Sequence, residues 1–287
     1  MGKKMQTLDA LVSMCLERDG KGKDFYLFNN KEVKEISKKT KFANHNDATH
    51  LDHYQLLSPK MIENNFCLFH VGTRPGEKTA NHAFVSPYTL AYHELEPINE
   101  ESVFDLKDMK PGPLDETNTS EANILSVVHN HGILRRFLYG GDLQATPQIY
   151  MPHRSQKNTL HKIGDLSLPL GRIQFEVDMT FAYNGLVTVF EGKNWRKDRN
   201  NFAIYQLYMP FRYYEMMSKE NSEIGIKEIN CCYLIRKKEK WGSKIYAYLY
   251  TFQDPTDLRS IKFIKNAQYN LIYRGRNFSS LMQEKLL

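Results

Sequence analysis

Long hydrophobic runs are missing from this chain of 287 residues, and no window approaches the roughly 20 apolar residues that a membrane-spanning helix requires. The first residues also lack the apolar core and the small-residue cleavage site of a secretion signal. Repeats and low-complexity tracts are absent as well. These absences predict a soluble, cytoplasmic protein.

Cysteine is scarce, with four residues and no Cys-x-x-Cys spacing. That count and spacing favour buried, reduced thiols over a disulfide framework or a zinc site. Aromatic residues, in contrast, are plentiful, with 17 Tyr and 16 Phe. A chain so rich in large apolar side chains can bury a substantial core, so disorder is not expected.

Positive charge is concentrated towards the C-terminus. Residues 193–287 carry 18 Lys and Arg against 9 Asp and Glu, whereas the rest of the chain is slightly acidic. This asymmetry suits a polyanionic partner contacted by the C-terminal third, although a solvated basic surface has the same composition.

Composition and periodicity divide the chain into two parts. Residues 1–105 predict a smaller N-terminal domain of mixed α+β structure, and an acidic segment over residues 94–121 predicts a linker. Residues 106–287 alternate between helical and strand-like patterns. The fold class expected is therefore α/β, with a mixed β-sheet flanked by helices.

Two strand-like segments, residues 173–179 and 186–193, are joined by Asn184-Gly185. Asn-Gly is the strongest short signal for a two-residue hairpin turn, because both residues tolerate a positive φ. A two-residue turn places Tyr183 opposite Leu186, and the same register continues down both strands.

Continued to its end, this register places Asp178 opposite Glu191, and Glu176 opposite Lys193. Facing carboxylates repel each other unless a cation lies between them, and an all-oxygen ligand set suits magnesium, with manganese as a substitute. Carboxylates, a divalent ion and an ammonium are the groups that phosphodiester hydrolysis uses. The alternative is a hairpin carrying two ordinary salt bridges, and a β-bulge beside Asp178 would break the register.

These residues resemble a known family. Asp178, followed thirteen residues later by Glu191-Gly192-Lys193, is similar to the PD-(D/E)xK signature of the restriction-endonuclease-like superfamily. The flanking segments resemble type II restriction endonucleases in particular: residues 171–178 (GRIQFEVD), 190–194 (FEGKN) and 201–213 (NFAIYQLYMPFRY). Val177 stands where the signature often has proline.

The resemblance implies roles for individual residues. Asp178 and Glu191 would be ligands of Mg²⁺, Lys193 the catalytic lysine, and Glu121 an additional acidic residue on the helix before the strands. Gln206 and Tyr208 would lie on a supporting helix face, with Glu176 also near the site. The fold implied is a restriction-endonuclease-like core over residues 106–287, the catalytic domain, with a basic C-terminal part.

Basic residues outside the signature are candidates for contact with DNA phosphates. One group surrounds the turn of a later hairpin, near Trp241, and a second follows the helix that begins near Ser120. The candidates are Arg236, Lys237, Lys238 and Lys240 in the first group, and Arg135 and Arg136 in the second. A His- and Asp-rich stretch, residues 44–53, is a polar loop that could also touch DNA, and the N-terminal domain would then read or clamp the duplex.

The resemblance therefore predicts a Mg²⁺-dependent type II restriction endonuclease that cuts both strands of double-stranded DNA, expected as a homodimer. Three alternatives stay open at this stage. They are a repair or recombination nuclease that recognises DNA structure, a DNA-binding protein with an inactive nuclease core, and an unrelated enzyme with a structural salt-bridge hairpin.

Overall fold

The structure, a computed structural model, describes residues 2–116, 120–142, 144–158, 162–168, 171–197 and 199–275. In this part of the chain, no helix combines the length and the apolarity needed to cross a membrane.

The N-terminal part packs three helices against a small antiparallel sheet of three strands, in the order β1-β3-β2. Helix α2 begins where the sequence provides a capping box, in which the Asn29 side chain and the Glu32 side chain each accept from the other's backbone N–H. The elements are α1 (Lys3–Asp19), β1 (Phe25–Asn29), α2 (Asn30–Lys39), α3 (Pro59–Glu63), β2 (Cys67–Gly72) and β3 (Asn81–Val85), followed by the short β4 (Tyr92–Glu94) and by β5 (Val103–Met109).

Helices and strands alternate through the remainder of the chain. The elements are α4 (Glu121–Asn130), α5 (Ile133–Tyr139), β6 (Gln148–Tyr150), β7 (His153–Asn158), β8 (Lys162–Ile163), β9 (Leu166–Ser167), β10 (Arg172–Val177), β11 (Met179–Tyr183), β12 (Leu186–Asn194), β13 (Asn201–Ala203), α6 (Tyr205–Glu220), β14 (Glu228–Glu239), β15 (Gly242–Phe252) and β16 (Ile261–Tyr273).

The centre of the molecule is a seven-stranded sheet in the order β5-β16-β15-β14-β12-β11-β6. Strand β12 runs parallel to β14, and β16 runs parallel to β5, while the other neighbours are antiparallel. The sheet is therefore mixed, and helices cover both of its faces. This architecture confirms the expected α/β class.

Alternation along the central strands separates two apolar layers. Phe190 and Leu234 face α4 and α5, whereas Val189 and Tyr233, their chain neighbours, face α6 and the N-terminal part. Both faces of β12 and β14 are thus buried, which explains why their sequences are almost continuously apolar.

The N-terminal part shares its core with the central sheet. A single apolar cluster extends from α1 to α6 and β14. The segment expected to be a linker contains β5, which pairs with β16, so the proposed boundary between residues 105 and 106 falls inside a strand of the large sheet. Strand β4 pairs with β13 and ties the two parts together a second time.

Several expected elements differ from those observed. The strand expected over residues 173–179 is interrupted at Asp178 and forms β10 and β11, which belong to different sheets. The segment 201–213, which was expected to carry the supporting helix face, begins in β13 with Phe202, and helix α6 begins only at Tyr205. Proline is tolerated within α6, where Pro210 is buried.

Gly171 allows the N-terminal sheet to approach β10. An added Cβ at Gly171 would lie 2.4 Å from the backbone carbonyl group of Thr73, and the Gly171 N–H donates to the Val71 carbonyl. Only glycine therefore fits at this position, because the neighbouring backbone atoms cannot rotate away from a larger side chain.

We expect Gly171→Ala to lower the free energy of unfolding by about 1–3 kcal/mol, the usual cost of overpacking. Gly2→Ala is the control, because its φ is negative and no described atom beyond its chain neighbours lies within 4 Å of its added Cβ. Urea unfolding of both variants measures the difference, and equal losses of stability would contradict the close approach at Gly171.

Candidate functional site

The turn expected between β11 and β12 is present. Asn184 and Gly185 have φ values of 52° and 84°, and Tyr183 pairs with Leu186. The expected register continues as far as the pair Met179 and Phe190. The asparagine–glycine signal therefore predicted both the turn and the alignment of the two strands.

The register ends one residue before the carboxylates. Glu176 pairs with Arg154 of β7, and its carboxylate accepts a hydrogen bond of 3.1 Å from the Arg154 Nε. The expectation that Glu176 faces Lys193 is thus wrong, because the chain leaves the sheet at Asp178. Asp178 itself stays beside β12, where its carboxylate accepts from the backbone N–H of Gly192.

Lys193 is the central charged group of the site. Its side chain is only 9% exposed, and its Nζ lies 2.9 Å from the Glu191 Oε1 and 2.9 Å from the Glu121 Oε2. Burial alone lowers the pKa of a lysine, but the carboxylates of Glu191, Asp52 and Glu121 outweigh burial and raise it. Lys193 is therefore held as a buried ammonium.

Gly192 determines how close Glu121 comes to Lys193. The first turn of α4 packs directly on β12, and the Glu121 carbonyl oxygen lies 3.3 Å from the position that a Cβ on Gly192 would take. Glu121 is the first residue of α4, so this packing brings its carboxylate to the end of β12. In Glu191-Gly192-Lys193, two side chains of the site therefore flank a glycine on which helix α4 packs.

Gln206 and Asp52 complete the cluster. The Gln206 Nε2 lies 3.3 Å from the Glu191 Oε1 and 3.3 Å from the Asp52 Oδ1, so the amide bridges the two carboxylates. The placement of Gln206 beside Glu191 agrees with its expected supporting position. Tyr208, two residues further along α6, instead donates to the Pro255 carbonyl.

Asp52, which was not among the predicted site residues, lies in the polar stretch of residues 44–53. Its backbone carbonyl accepts from the Ala203 N–H, which fixes the loop against the start of α6. Its carboxylate lies 3.8 Å from the buried guanidinium of Arg199. The concentration of histidine and aspartate in this stretch was the available signal, but nothing local indicates which site it reaches.

Two carboxylates of the cluster, Asp178 and Glu191, have a pKa above the ordinary value. Burial raises the pKa of Glu191 to about 8, with Lys193 opposing the increase and Asp178 adding to it. Burial also raises the pKa of Asp178, where Lys193 and the Gly192 N–H act in the opposite direction. A second cation close to these groups would favour their ionised forms.

The donor atoms present suit a hard divalent cation. Asp178 and Glu191 offer carboxylate oxygens, and the Gln206 Oε1 is buried without a hydrogen-bond partner among the described residues. In the arrangement described, Lys193 occupies the space between the acids, and no group of three or more His, Cys, Asp and Glu side chains is positioned around a metal. Asp178 and Glu191 are the two residues that could hold one.

The basic residues proposed for DNA contact differ in exposure. Arg236 is only 3% exposed, and its guanidinium donates to the Ser243 hydroxyl and the Asp115 carbonyl. The expectation that Arg236 contacts phosphate is therefore wrong: it is a structural residue. It lies well inside β14, which extends to Glu239, and alternation directs its side chain inward.

Lys238 and Lys240 are exposed near the β14–β15 turn, whereas Trp241 is buried. Lys237 pairs with Glu239 at 2.8 Å and lies 4.7 Å from the centre of the Trp195 ring. Arg135 and Arg136 lie on α5, on the opposite side of the sheet from α6. None of the described contacts brings these residues to the acidic cluster.

The site is thus a buried acidic cluster around one lysine, at the C-terminal end of β12 within the mixed sheet. Residues 88–270 match the family described as a domain of unknown function, DUF6997, and the chain belongs to this family. The match includes Glu121, Asp178, Glu191 and Lys193 but not Asp52. No curated protein and no solved structure matches the chain.

Lys193→Met should make stability depend more steeply on pH. Glu191, whose ordinary pKa of 4.5 is already raised to about 8, would lose its partner and keep its proton to still higher pH. A carboxyl with a raised folded pKa contributes stability below its unfolded pKa and loses it as pH rises towards the folded value. We expect the deficit of the variant to grow as the pH rises above about 8, where Glu191 ionises in the unmodified protein but keeps its proton in the variant, by about 1.4 kcal/mol for each pH unit.

Urea unfolding at several pH values tests this expectation, with Lys193→Met/Glu191→Gln as the control. The double variant has no carboxyl at residue 191 to titrate, so its deficit should not widen with pH. Parallel pH profiles for Lys193→Met and the unmodified protein would show that the two groups are not coupled.

Proposed function

We propose that this protein is a Mg²⁺-dependent endonuclease of the type II restriction kind, which hydrolyses phosphodiesters in double-stranded DNA. The observation that carries the proposal is the convergence of Asp178, Glu191 and Lys193 at the C-terminal half of β12. A buried ammonium between carboxylates, with a further carboxylate beside it, suits charge development on a phosphoryl group.

In this proposal each residue has a separate task. Asp178 and Glu191 hold the metal, which when bound polarises the phosphate and lowers the pKa of the attacking water. Lys193 directs its ammonium towards the reacting phosphate and stabilises charge on its oxygens. Glu121 fixes Lys193 from the side of α4, at 2.9 Å, and Gln206 fixes Glu191 from the side of α6, at 3.3 Å.

The DNA partner is supported by charge. The basic C-terminal third contains β14 and its turn, where Lys238 and Lys240 are exposed. Contacts from such residues to phosphates supply affinity without reading sequence. A homodimer, with one site for each strand, is the assembly proposed for cutting a two-fold symmetric site.

Cleavage of long unmethylated duplex DNA tests the proposal. We expect discrete fragments with Mg²⁺, and a loss of at least about 100-fold in rate for Asp178→Asn and for Lys193→Ala, the scale of removing one charge-stabilising group. Glu176→Gln is the matched control, since this carboxylate is close in sequence but pairs with Arg154. Its rate should stay near that of the unmodified protein.

Other outcomes identify the alternatives. A smear of products would indicate a nuclease that recognises structure. Salt-sensitive DNA binding without metal-dependent cutting would indicate a binding protein with an inactive core. DNA cleavage by Lys193→Ala at the rate of the unmodified protein would contradict the proposed role of the cluster.

DNA affinity distinguishes exposed from buried basic residues. Lys240→Ala should reduce the slope of log affinity against log salt by about 1, as expected for one lost phosphate contact. Arg236→Ala should instead reduce stability, because it leaves the Ser243 and Asp115 groups without their buried partner. Filter binding and urea unfolding of both variants provide the comparison. If the slope of log affinity against log salt is unchanged in Lys240→Ala, Lys240 does not contact DNA phosphate.

A further inference from the structure

A cavity of about 790 Å³ lies at the other end of β12 from the acidic cluster. It opens between the edge strand β6, the β11–β12 turn and the C-terminal half of α6. Its volume is within the range of about 300–1,000 Å³ that is typical of small-molecule sites. No residue of the acidic cluster and no residue proposed to contact DNA lines this cavity.

The cavity walls are largely aromatic, and His153, 5.7 Å from the centre of the Tyr213 ring, is the one basic side chain among the described lining residues. The large side chains that line it are Tyr150, Tyr183, Tyr213, Tyr214, Met151 and Met217. Among the described lining residues there is no Lys, Arg, Asp or Glu. A phosphate or a carboxylate would lose its hydration in such a cavity without meeting a lysine or an arginine, so the cavity favours a ligand whose buried part is neutral.

A few polar groups interrupt these walls. The Tyr214 hydroxyl donates to the Thr180 Oγ1 at 3.0 Å, and the Tyr150 hydroxyl donates to the Gln148 Oε1 at 2.9 Å. The amides of Gln148 and Asn184 also line the cavity. Amide side chains both donate and accept, which matches the edge of a nucleobase.

Charged side chains of both signs lie beside the cavity, outside its lining: Lys227 and its chain neighbour Glu228, both exposed. Lys227 is exposed, and its aliphatic stem lies 3.0 Å from where a Cβ on Gly185 would be. Its backbone N–H donates to the Gly185 carbonyl at 2.8 Å, which fixes this residue against the turn that lines the cavity. A neutral cavity with a cation at its rim suits a ligand that has a flat neutral ring and an external phosphate.

We propose that this cavity binds a purine or pyrimidine base, with its phosphate outside near Lys227. Every base presents a flat face to tyrosine rings, and stacking of this kind tolerates different bases. The base comes either from a nucleic-acid strand or from a free nucleotide. This inference goes beyond the proposed nuclease activity and does not depend on it.

The cavity is separate from the acidic cluster but belongs to the same face of the sheet. Val187 lines the cavity and Glu191 lies four residues further along β12, a distance of about 13 Å at the usual rise of a strand. Helix α6 spans both, with Gln206 beside Glu191 and Met217 in the cavity. A strand of nucleic acid could therefore contact both places at once.

Titration calorimetry with 2′-deoxyadenosine and its 5′-monophosphate, without metal, tests the proposal. We expect saturable binding of both with one site per chain, and tighter binding of the monophosphate. Met217→Trp, which fills the cavity, and Tyr150→Ala, which removes a half-exposed wall, should each weaken binding by about tenfold or more.

Lys227→Glu should remove the advantage of the monophosphate and leave the affinity for deoxyadenosine unchanged. Lys34→Glu, an equal change of charge at an exposed position on α2, is the control and should preserve that advantage. The proposal is overturned if neither compound binds saturably, or if binding is the same in Met217→Trp and Tyr150→Ala as in the unmodified protein.

A single-stranded oligonucleotide containing 2-aminopurine identifies the source of the base. A change in fluorescence on binding that is lost in Met217→Trp assigns the cavity to a base within a strand. Nucleotide binding without that change assigns it to free nucleotides. Both results support a base-binding cavity, and neither requires DNA cleavage, so a failure of the nuclease proposal is measured separately.

Discussion

The arrangement of the site depends on the ion pairs of the Lys193 ammonium. This ammonium is buried between the carboxylates of Glu121 and Glu191. A charge so deeply buried is stable only with carboxylates at hydrogen-bond distance, and here they come from β12 itself and from α4. Removing either carboxylate takes away one of the two acceptors that lie 2.9 Å from this buried ammonium. The packing of α4 against the end of β12 and the ion pairs of Lys193 therefore depend on each other.

The same cluster connects the N-terminal part to the central sheet. Asp52 reaches Gln206 and Arg199 from a loop that precedes the segment matched by the family, residues 88–270. The shared apolar core and the close approach at Gly171 hold that loop in place. The N-terminal part is consequently a structural component of this cluster, and its recognition or clamp role stays a separate prediction.

Strand β12 and helix α6 place two different environments on one face of the sheet. At one end the side chains are acidic and surround a buried ammonium, which suits the chemistry of a phosphate group. At the other end they are neutral and aromatic, which suits a flat ring. A nucleic acid or a nucleotide contains both kinds of group, and the proposals for the two ends are in this sense chemically consistent with each other.

The sequence by itself determined the features that depend on neighbouring residues. Asn184-Gly185 set the hairpin turn and its register, the spacing of two placed Glu191 and Lys193 on one face, and the α/β class followed from periodicity. Only the tertiary structure decided where Asp178 leaves the sheet, that Glu176 pairs with Arg154, that Arg236 is buried and that Asp52 joins the cluster. These outcomes depend on contacts with distant segments such as β7 and the segment containing Asp115, and no local propensity encodes which distant segment a side chain meets.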